Sequence, residues 1–389
     1  MAIATLIQTF FTSFNALRAR LDYLCVRMLS VWITSSLQSA RVPTNIALGN
    51  FDGVHLGHRQ VMAAILGDRS SLNTVQSLTS QSVAALHQSI LHSNSDWTKP
   101  ISLTTLGNTT PPHPPVTQPL STVVTFAPHP QEYFSGVSRP LLTPIAEKIW
   151  QLSQLGIEQL VMLPFNRALS ELSPQAFIEQ ILIKGLRARR ISVGNDFRFG
   201  KGRSGSADGL GEIAASHNIP VTQVSLKYEQ GDRISSSRVR AALQEGHPDI
   251  ATKLLGRPYT LTGRVVKGKQ LGRTIGFPTA NIKVPSNKYL PRTGVYSVRV
   301  YGAAGGNEPS DSQNIQVING VMNVGHQPTV DGQSLRVEVH LLDWDGDLYD
   351  QLLTVSLESF VRAEEKFESI DQLKQQIAMD CGVAIAALK

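Results

Sequence analysis

The first two thirds of the chain alternate between short apolar runs and segments with a helical spacing of apolar residues. The apolar runs, which predict strands, cover residues 44–50, 121–127, 157–164, 190–194 and 221–226. Helices are predicted between them, and two begin with a capping residue followed by proline, at Thr143-Pro144 and Ser173-Pro174. Strands that alternate with helices predict a parallel sheet covered by helices, the arrangement of an α/β domain.

After about residue 257 the chain changes to short runs of β-forming residues, separated by Gly, Pro, Asn and Asp. These runs cover residues 259–267, 276–282, 294–301, 314–321, 336–342 and 353–360. Their spacing predicts a small antiparallel barrel or a sandwich. Residues 369–379 follow with the spacing of an amphipathic helix. The predicted fold class is therefore α/β with a parallel sheet, followed by a small antiparallel β-barrel with a terminal helix.

Two parts of the chain fit neither pattern. Residues 69–121 are rich in Ser, Thr, Gln and Leu and contain the run PPHPP, which predicts a poorly ordered insertion. Residues 1–43 precede the first predicted strand, and we expect an extension that is either disordered or the product of an upstream start. For residues 1–27, organelle targeting and a true start at Met28 both stay open. The predicted domains are residues 44–256, which include the insertion, and residues 257–389.

Composition narrows the class of protein without deciding its function. The chain has 389 residues, of which 41% are hydrophobic and 17% charged, as in globular domains. The two cysteines, Cys25 and Cys381, exclude a disulfide scaffold and a CxxC metal or redox site. The net charge of +6 favours anionic partners, and phosphorylated small molecules satisfy it as well as nucleic acid does. No apolar run is long enough for a membrane span, and we expect a cytoplasmic protein.

The densest chemical signal is the segment GNFDGVHLGH at residues 49–58, where a helix follows the first predicted strand. The free N–H groups and the positive dipole at the start of a helix suit an anion. His55 and His58 would donate hydrogen bonds to phosphate oxygens there as charge builds in a transition state. Gly53 and Gly57 let the backbone approach a ligand closely. A lone pair of histidines three residues apart is usually incidental, but the ten-residue segment is more specific.

This segment resembles the HxGH motif of the nucleotidylyltransferase superfamily, which has a Rossmann-like fold. The similarity is closer to the N-terminal module of bacterial bifunctional riboflavin kinase/FAD synthetases. It continues in the same order through residues 125–130 (TFAPHP), 193–200 (VGNDFRFG) and 234–240 (ISSSRVR). The resemblance implies that His55, His58 and Arg238 act on the ATP phosphates. It also implies ATP or flavin binding by Gly49, Phe51, Asp52, Gly53, Asp196, Ser235 and Ser236.

Two further features of this half keep alternative interpretations. Residues 200–205 (GKGRSG) are either a phosphate-binding loop or a solvated loop, and they do not form a Walker A motif. His129 lies between two prolines and is either a base or a structural residue at a strand end.

In the second half, residues 263–273 alternate glycine with basic residues, as in an RNA-contacting loop or a phosphate-binding flap. The segment GFPTAN follows at residues 276–281. On a strand, Thr279 and Asn281 would share one face. Hydroxyl and amide oxygens of this kind suit Mg²⁺, which takes few protein ligands.

This segment resembles the PTAN signature of riboflavin kinases, and the similarity continues at residues 294–296, 320–325, 338–340, 347–349 and 362–367. It implies that Thr279 and Asn281 bind Mg²⁺ and ATP, and that Glu338 takes the proton from the ribityl hydroxyl of the flavin. Glu338 is expected to share a strand face with Arg336 and His340. The resemblance also implies ATP or flavin contacts for Gly268, Gly272, Arg273 and Arg362.

In the second half, two residues depart from the pattern of the family. Gln327 stands before Pro328-Thr329, where arginine is usual, and Asp350 stands where glycine is usual. The loss of the charge puts a direct role of position 327 in doubt.

The resemblance implies a bifunctional transferase that phosphorylates riboflavin to FMN and adenylylates FMN to FAD. Its substrates would be riboflavin, FMN and ATP, with Mg²⁺ as cofactor and no nucleic-acid or membrane partner; the oligomeric state stays open. One alternative is that a single module is active. Another is a basic nucleic-acid-binding protein, suggested by residues 187–190 (RARR), although aromatic residues make up only 6% of the chain.

Overall fold

The computed structural model describes residues 31–66, 118–229, 231–268, 271–302, 317–329 and 332–389. Most of the predicted insertion at residues 69–121 and residues 1–30 of the predicted extension lie outside these ranges. The same holds for residues 303–316. Among the residues described, none of the helices combines the length and the apolar character that crossing a bilayer requires.

The first part of the described chain forms the predicted parallel sheet. Its six strands are arranged in the order β1-β4-β3-β2-β5-β8, and every neighbouring pair is parallel. The strands are β1 Trp32–Thr34, β2 Thr44–Leu48, β3 Leu120–Ala127, β4 Gln159–Pro164, β5 Ala188–Gly194 and β8 Val221–Val224. Ile46 and Leu48 enter one buried cluster and Ala47 enters another, as expected for a strand covered on both faces.

Helices connect these strands, as the alternating pattern predicts. They are α1 Leu56–Ala63, α2 Pro130–Ser135, α3 Ile145–Gln154, α4 Arg167–Ser170, α5 Pro174–Ala176, α6 Ala207–Ala215, α7 Ser236–Glu245 and α8 Pro248–Leu255. A π-helical segment, Phe177–Gly185, continues α5, and a 3₁₀ turn covers Lys201–Arg203. Two short strand pairs complete this part: β6 Arg198–Phe199 with β7 Gly205–Ser206, and β9 Tyr228–Glu229 with β10 Asp232–Arg233.

Strand β1 is not predicted from the sequence, because three residues are too few for a strand pattern. It pairs with β4, and the Arg41 N–H donates to the side chain of Gln159 at 2.8 Å. Residues 31–43, which the prediction assigns to an extension, therefore include an edge strand of the sheet.

The second part forms a closed antiparallel barrel rather than a sandwich, with strand order β11-β12-β15-β14-β13-β16. The strands are β11 Tyr259–Val266, β12 Ala280–Lys283, β13 Gly294–Tyr301, β14 Val317–Thr329, β15 Gly332–Leu341 and β16 Leu352–Arg362. A short helix, α9 Leu271–Thr274, precedes β12. The terminal helix α10 Ile370–Leu388 begins where predicted and runs nine residues further than predicted, to Leu388. The predicted fold class, a parallel sheet followed by a small barrel with a terminal helix, is confirmed.

One hydrophobic core joins the barrel to the last helices of the first part. Val239 and Leu243 of α7 and Leu254 of α8 belong to the same buried cluster as Tyr259 and Leu357 of the barrel. The predicted boundary near residue 256 lies within this continuous core and stays a prediction.

Candidate active sites

A cavity of about 1100 Å³ opens where strands of the parallel sheet end. It is lined by Leu48, Phe126, Gly194 and Val224, which lie at the carboxyl ends of β2, β3, β5 and β8. Ligands of open α/β sheets bind at this edge. We call this space the sheet cavity.

The loop between β2 and α1 forms one wall of the sheet cavity and has an unusual backbone. Phe51, Gly53 and Val54 all have positive φ, at 49°, 88° and 44°. Glycine adopts such values freely, but a β-branched residue such as Val54 is an outlier there. A backbone of this kind persists only where its surroundings hold it, and it concentrates at functional sites.

Residues from distant segments hold this loop. The carboxylate of Asp52 accepts from the Thr143 N–H at 3.2 Å and from the guanidinium of Arg240. Arg257, which is buried beside the barrel, donates to the carbonyl oxygen of Gly53 at 2.9 Å. Asp52 lines the sheet cavity. Its carboxylate is engaged by Thr143 and Arg240 and so stabilises the loop.

His55 and His58 both line the sheet cavity, with their rings stacked 3.5 Å apart. His55 caps α1, since its Nδ1 accepts from the His58 N–H at 3.3 Å, which leaves the proton of the neutral ring on Nε2. Burial lowers the pKa of His55 to about 3. The pKa of His58 lies well below its usual value, because its ring is buried and lies beside that of His55. Both rings are therefore neutral near pH 7. A side chain at Gly57 would lie 3.3 Å from the His55 ring, so glycine permits this packing.

In the described part of the chain, five arginines line the sheet cavity, and sequence reasoning singled out none of them as site residues. They are Arg139, Arg198, Arg203, Arg233 and Arg240. Arg238, for which a role on the ATP phosphates stays a prediction, is not among the residues that line this cavity; it forms an ion pair with Asp232 at 2.9 Å and donates to the carbonyl of Glu229. Arg198, Arg203 and Arg240 lie within the motifs at residues 193–200, 200–205 and 234–240, whereas Arg139 and Arg233 lie in none.

Of the other predicted residues of this site, all but Gly53 line the sheet cavity, and several have structural partners. Asp196 accepts from Arg233. Ser235 caps α7 by accepting from the Arg238 N–H at 3.2 Å, and the hydroxyl of Ser236 donates to the carbonyl of Asp52 at 2.7 Å. Gly49 also lines the cavity and packs on the ring of Phe51, which is buried.

The two ambiguous features of this half also border the sheet cavity. His129 caps α2, with its Nδ1 accepting from the Gln131 N–H at 3.0 Å, which favours the structural interpretation for that nitrogen. Gly200, Gly202 and Arg203 of the loop at residues 200–205 line the cavity as well.

A second cavity, of about 330 Å³, lies on the barrel and is called the barrel cavity here. Gly272, Thr279, Glu338 and Arg362, all predicted site residues, line it together with Asn323 and His340. Gly268 and Asn281 border a neighbouring depression of about 410 Å³. Arg273 is exposed on α9 and lies beside Gly272 in the chain.

Glu338 of β15 lies in a network of three polar residues. Arg336 Nη2 is 2.9 Å from Glu338 Oε1, and Arg336 Nε donates to Oδ1 of Asn281 on the adjacent strand β12. His340 Nδ1 is 2.8 Å from the carbonyl oxygen of Pro278. Arg336, Glu338 and His340 line the same cavity, so their predicted common face is confirmed.

The predicted magnesium ligands border two neighbouring spaces on the barrel. Thr279 precedes β12 and lines the barrel cavity, whereas Asn281 borders the neighbouring depression and its amide oxygen already accepts from Arg336. An ion bound by Asn281 would have to replace this guanidinium contact, and a metal role for Thr279 and Asn281 stays a prediction. No group of three or more His, Cys, Asp or Glu side chains suited to a metal occurs within the described ranges.

Arg362 at the end of β16 is held by the terminal helix. Its Nε and Nη2 bond to the carboxylate oxygens of Asp380 at 2.9 and 2.8 Å, and Asp380 is buried. This two-pronged contact fixes the guanidinium plane at the wall of the barrel cavity. Asp380 is a functional neighbour that the sequence pattern did not reveal, because it lies 18 residues away on a helix.

The chain thus combines two candidate ligand sites, an arginine-lined cavity at the strand ends of a Rossmann-like sheet and a carboxylate-bearing cavity on a barrel. The family model for FAD synthetase matches residues 37–80 and 116–238. The family model for riboflavin kinase matches residues 255–388.

Relatives of known name cover most of the chain. It is 35% identical over 336 residues to the bifunctional riboflavin kinase/FMN adenylyltransferase of Escherichia coli (strain K12), covering 86% of this chain and 90% of that protein. It is 33% identical over 345 residues to the enzyme of the same name from Bacillus subtilis (strain 168), covering 87% and 91%. The chain therefore belongs to the family of bifunctional riboflavin kinase/FMN adenylyltransferases.

A solved structure shares the fold over nearly its whole length. The crystal structure of a protein titled as a macrolide-efflux protein from Streptococcus pneumoniae has a TM-score of 0.68 and 25% sequence identity, and the match covers 91% of this chain and 98% of that one. The family models and the named relatives identify the chain as a transferase that uses ATP to convert riboflavin to FMN and FMN to FAD.

Proposed function

We propose that the two reactions are divided between the two cavities. FMN would be adenylylated in the sheet cavity, and riboflavin would be phosphorylated in the barrel cavity. The observation that supports this division is that side chains of different chemistry line the two cavities. Five arginines and two neutral histidines face the sheet cavity, whereas the carboxylate of Glu338 faces the barrel cavity.

Adenylyl transfer needs positioning and charge stabilisation rather than a strong base. An oxygen of the FMN phosphate attacks the α-phosphorus of ATP, the bond to the bridging oxygen breaks, and pyrophosphate leaves. The proposed role of His55 is to donate its Nε2–H to a phosphate oxygen as charge develops. The arginines that line the cavity, such as Arg233 and Arg240, would neutralise the phosphates and the leaving pyrophosphate.

Riboflavin phosphorylation needs a group that accepts a proton. The terminal ribityl hydroxyl attacks the γ-phosphorus of ATP, the proton passes to Glu338, and ADP leaves. Arg362, fixed by Asp380, is proposed to face the phosphates, and Gly272 to allow the nucleotide to approach the backbone. Gly268 and Arg273 are proposed to contact the nucleotide from the same side.

The remaining expectations are part of the proposal. A requirement for Mg²⁺, with Thr279 and Asn281 as ligands, stays a prediction, and no step is assigned to the ion. ATP, riboflavin and FMN suffice as partners, and we propose no nucleic-acid partner and no membrane partner. We also propose a cytoplasmic location. A gel shift with duplex DNA or RNA at physiological salt tests the nucleic-acid alternative, since non-specific binding depends steeply on salt.

The division between cavities is tested by two variants and two assays. Glu338→Gln should abolish FMN formation from riboflavin while FAD formation from supplied FMN continues. His58→Gln should reduce FAD formation while FMN formation continues. Both reactions are followed by chromatography of the flavin products.

Matched controls keep these variants interpretable. Glu358→Gln changes another arginine-paired glutamate on a barrel strand, and His217→Gln changes an exposed histidine at the end of α6. Neither should change either activity more than twofold. If Glu338→Gln and His58→Gln each reduce both activities equally in folded protein, the division between cavities is wrong. If Glu338→Gln still forms FMN, Glu338 is not the base of the kinase reaction.

A further inference from the structure

Arg336 connects two residues of the proposed kinase site. Its Nε donates to Oδ1 of Asn281, and its Nη2 lies 2.9 Å from Oε1 of Glu338. Arg336 and Glu338 are two positions apart on β15, so their side chains leave the same face of the strand. Asn281 pairs with Glu338 across β12 and β15. One guanidinium therefore links the proposed base to the neighbouring strand.

The backbone packs closely against this guanidinium. A side chain at Gly268 would lie 2.6 Å from Nη2 of Arg336, so residue 268 lies directly over the ion pair. Arg336 is thus held by Asn281 at Nε, by Glu338 at Nη2 and by the chain above it. Arg336 can therefore adopt few rotamers. Its contact with Glu338 restricts the rotamers of Glu338 as well.

This contact differs from an ordinary ion pair on a sheet surface. Exposed pairs move freely and add little to stability. The side chains of Arg336 and Glu338 are only 23% and 27% exposed, and both line the barrel cavity. Since Oε1 of Glu338 is engaged by Arg336, its Oε2 is the oxygen left to meet a substrate hydroxyl.

We propose that Arg336 is a positioning residue of the kinase reaction, whose forked guanidinium fixes the Glu338 carboxylate so that Oε2 faces the ribityl hydroxyl. The role requires the fork and not the charge alone, because one guanidinium contacts Asn281 and Glu338 with two different nitrogens. Lysine carries the same charge but a single ammonium, and it cannot make both contacts in this geometry. The inference rests on the proposed role of Glu338 as the base.

Arg336→Gln and Arg336→Lys test the inference, with Arg299→Gln as a control on a barrel arginine outside the barrel cavity. Steady-state kinetics of FMN formation give kcat and KM. Quenching of riboflavin fluorescence gives binding, and FAD formation from supplied FMN reports the other site. A misplaced catalytic group costs on the order of 100-fold in rate. We therefore expect kcat for FMN formation to fall at least tenfold in both Arg336 variants, with riboflavin binding within about threefold of wild type.

Three results would overturn the inference. One is a kcat in Arg336→Gln within twofold of wild type. The second is a full kcat in Arg336→Lys, which would show that charge suffices. The third is loss of riboflavin binding in parallel with kcat in both variants, which would show a merely structural role. If Glu338→Gln abolishes FMN formation while Arg336→Gln does not, only this inference fails. If Glu338→Gln keeps FMN formation, the proposed base fails instead.

Discussion

Replacing Lys288 with methionine removes one partner of a buried ion pair between the barrel part and the parallel-sheet part. Lys288 Nζ lies 2.6 Å from Glu147 Oε2 and donates to the carbonyl of Leu142 at 2.8 Å. The side chains of Lys288 and Glu147 are 0% and 7% exposed. Lys288 Nζ also lies 4.5 Å from the centre of the Tyr259 ring. Lys288 and Glu147 are 141 positions apart in the chain.

The size of the effect follows from the charge that is left behind. Removing one partner of a buried pair costs about 3–5 kcal/mol, because the other charge stays buried and unpaired. Burial raises the pKa of Glu147, so this carboxyl can take up a proton in the variant, which limits the loss. We therefore expect Lys288→Met to lower the free energy of unfolding by about 3 kcal/mol. The double variant Glu147→Leu/Lys288→Met should lose less than Lys288→Met alone, since no buried charge remains.

Urea unfolding followed by tryptophan fluorescence measures this loss, and Trp150 lies on α3, the helix that carries Glu147. The control is Arg167→Ala, which breaks the exposed pair of Arg167 and Glu171, whose side chains are 86% and 52% exposed. That variant should lose at most about 1 kcal/mol. If Lys288→Met is no less stable than Arg167→Ala, or if the double variant is the least stable, the reasoning about the buried charge is refuted.

Three further predictions concern the sheet cavity. The folded-state pKa of His55, about 3, lies below the usual value of 6.5, so the unfolded chain takes up the proton first; His55 alone should lower the free energy of unfolding by about 2 kcal/mol from pH 8 to pH 5, and urea unfolding should show a fall smaller by that amount in His55→Gln than in wild type. Arg257→Leu removes a donor to the Gly53 carbonyl and should reduce the rate of FAD formation at least tenfold, which is about 1.4 kcal/mol of activation free energy. The rate of FMN formation should stay within twofold, and an equal loss of both rates would contradict this prediction. Gly57→Ala should slow FAD formation severalfold, because the added Cβ lies 3.3 Å from the His55 ring, and an unchanged rate would show that the ring position is unimportant.

Local sequence pattern was enough for the residues that lie next to each other in the chain. The apolar run of β2, the glycine-rich turn and the start of α1 could be predicted, and with them the placement of His55 and His58 in one cavity. The common face of Arg336, Glu338 and His340 followed in the same way from the period of a strand.

Contacts between distant segments could not be predicted in this way. Arg139 and Arg233 lie outside every motif of the sequence, and only the fold brings them to the cavity formed by the β2–α1 loop. Arg257 reaches the Gly53 carbonyl across 204 positions of the chain. The contact between the amide oxygen of Asn281 and Arg336 joins two strands that are far apart in the chain, and the local pattern of residues 276–281 does not indicate it.

Incubation of the purified protein with riboflavin, ATP and Mg²⁺, with chromatography of the flavins over time, tests the central claim most directly. The account predicts that FMN appears first and that FAD follows, and that supplied FMN and ATP give FAD without riboflavin. The claim that one chain carries both active sites would be contradicted if the folded protein left both riboflavin and FMN unchanged.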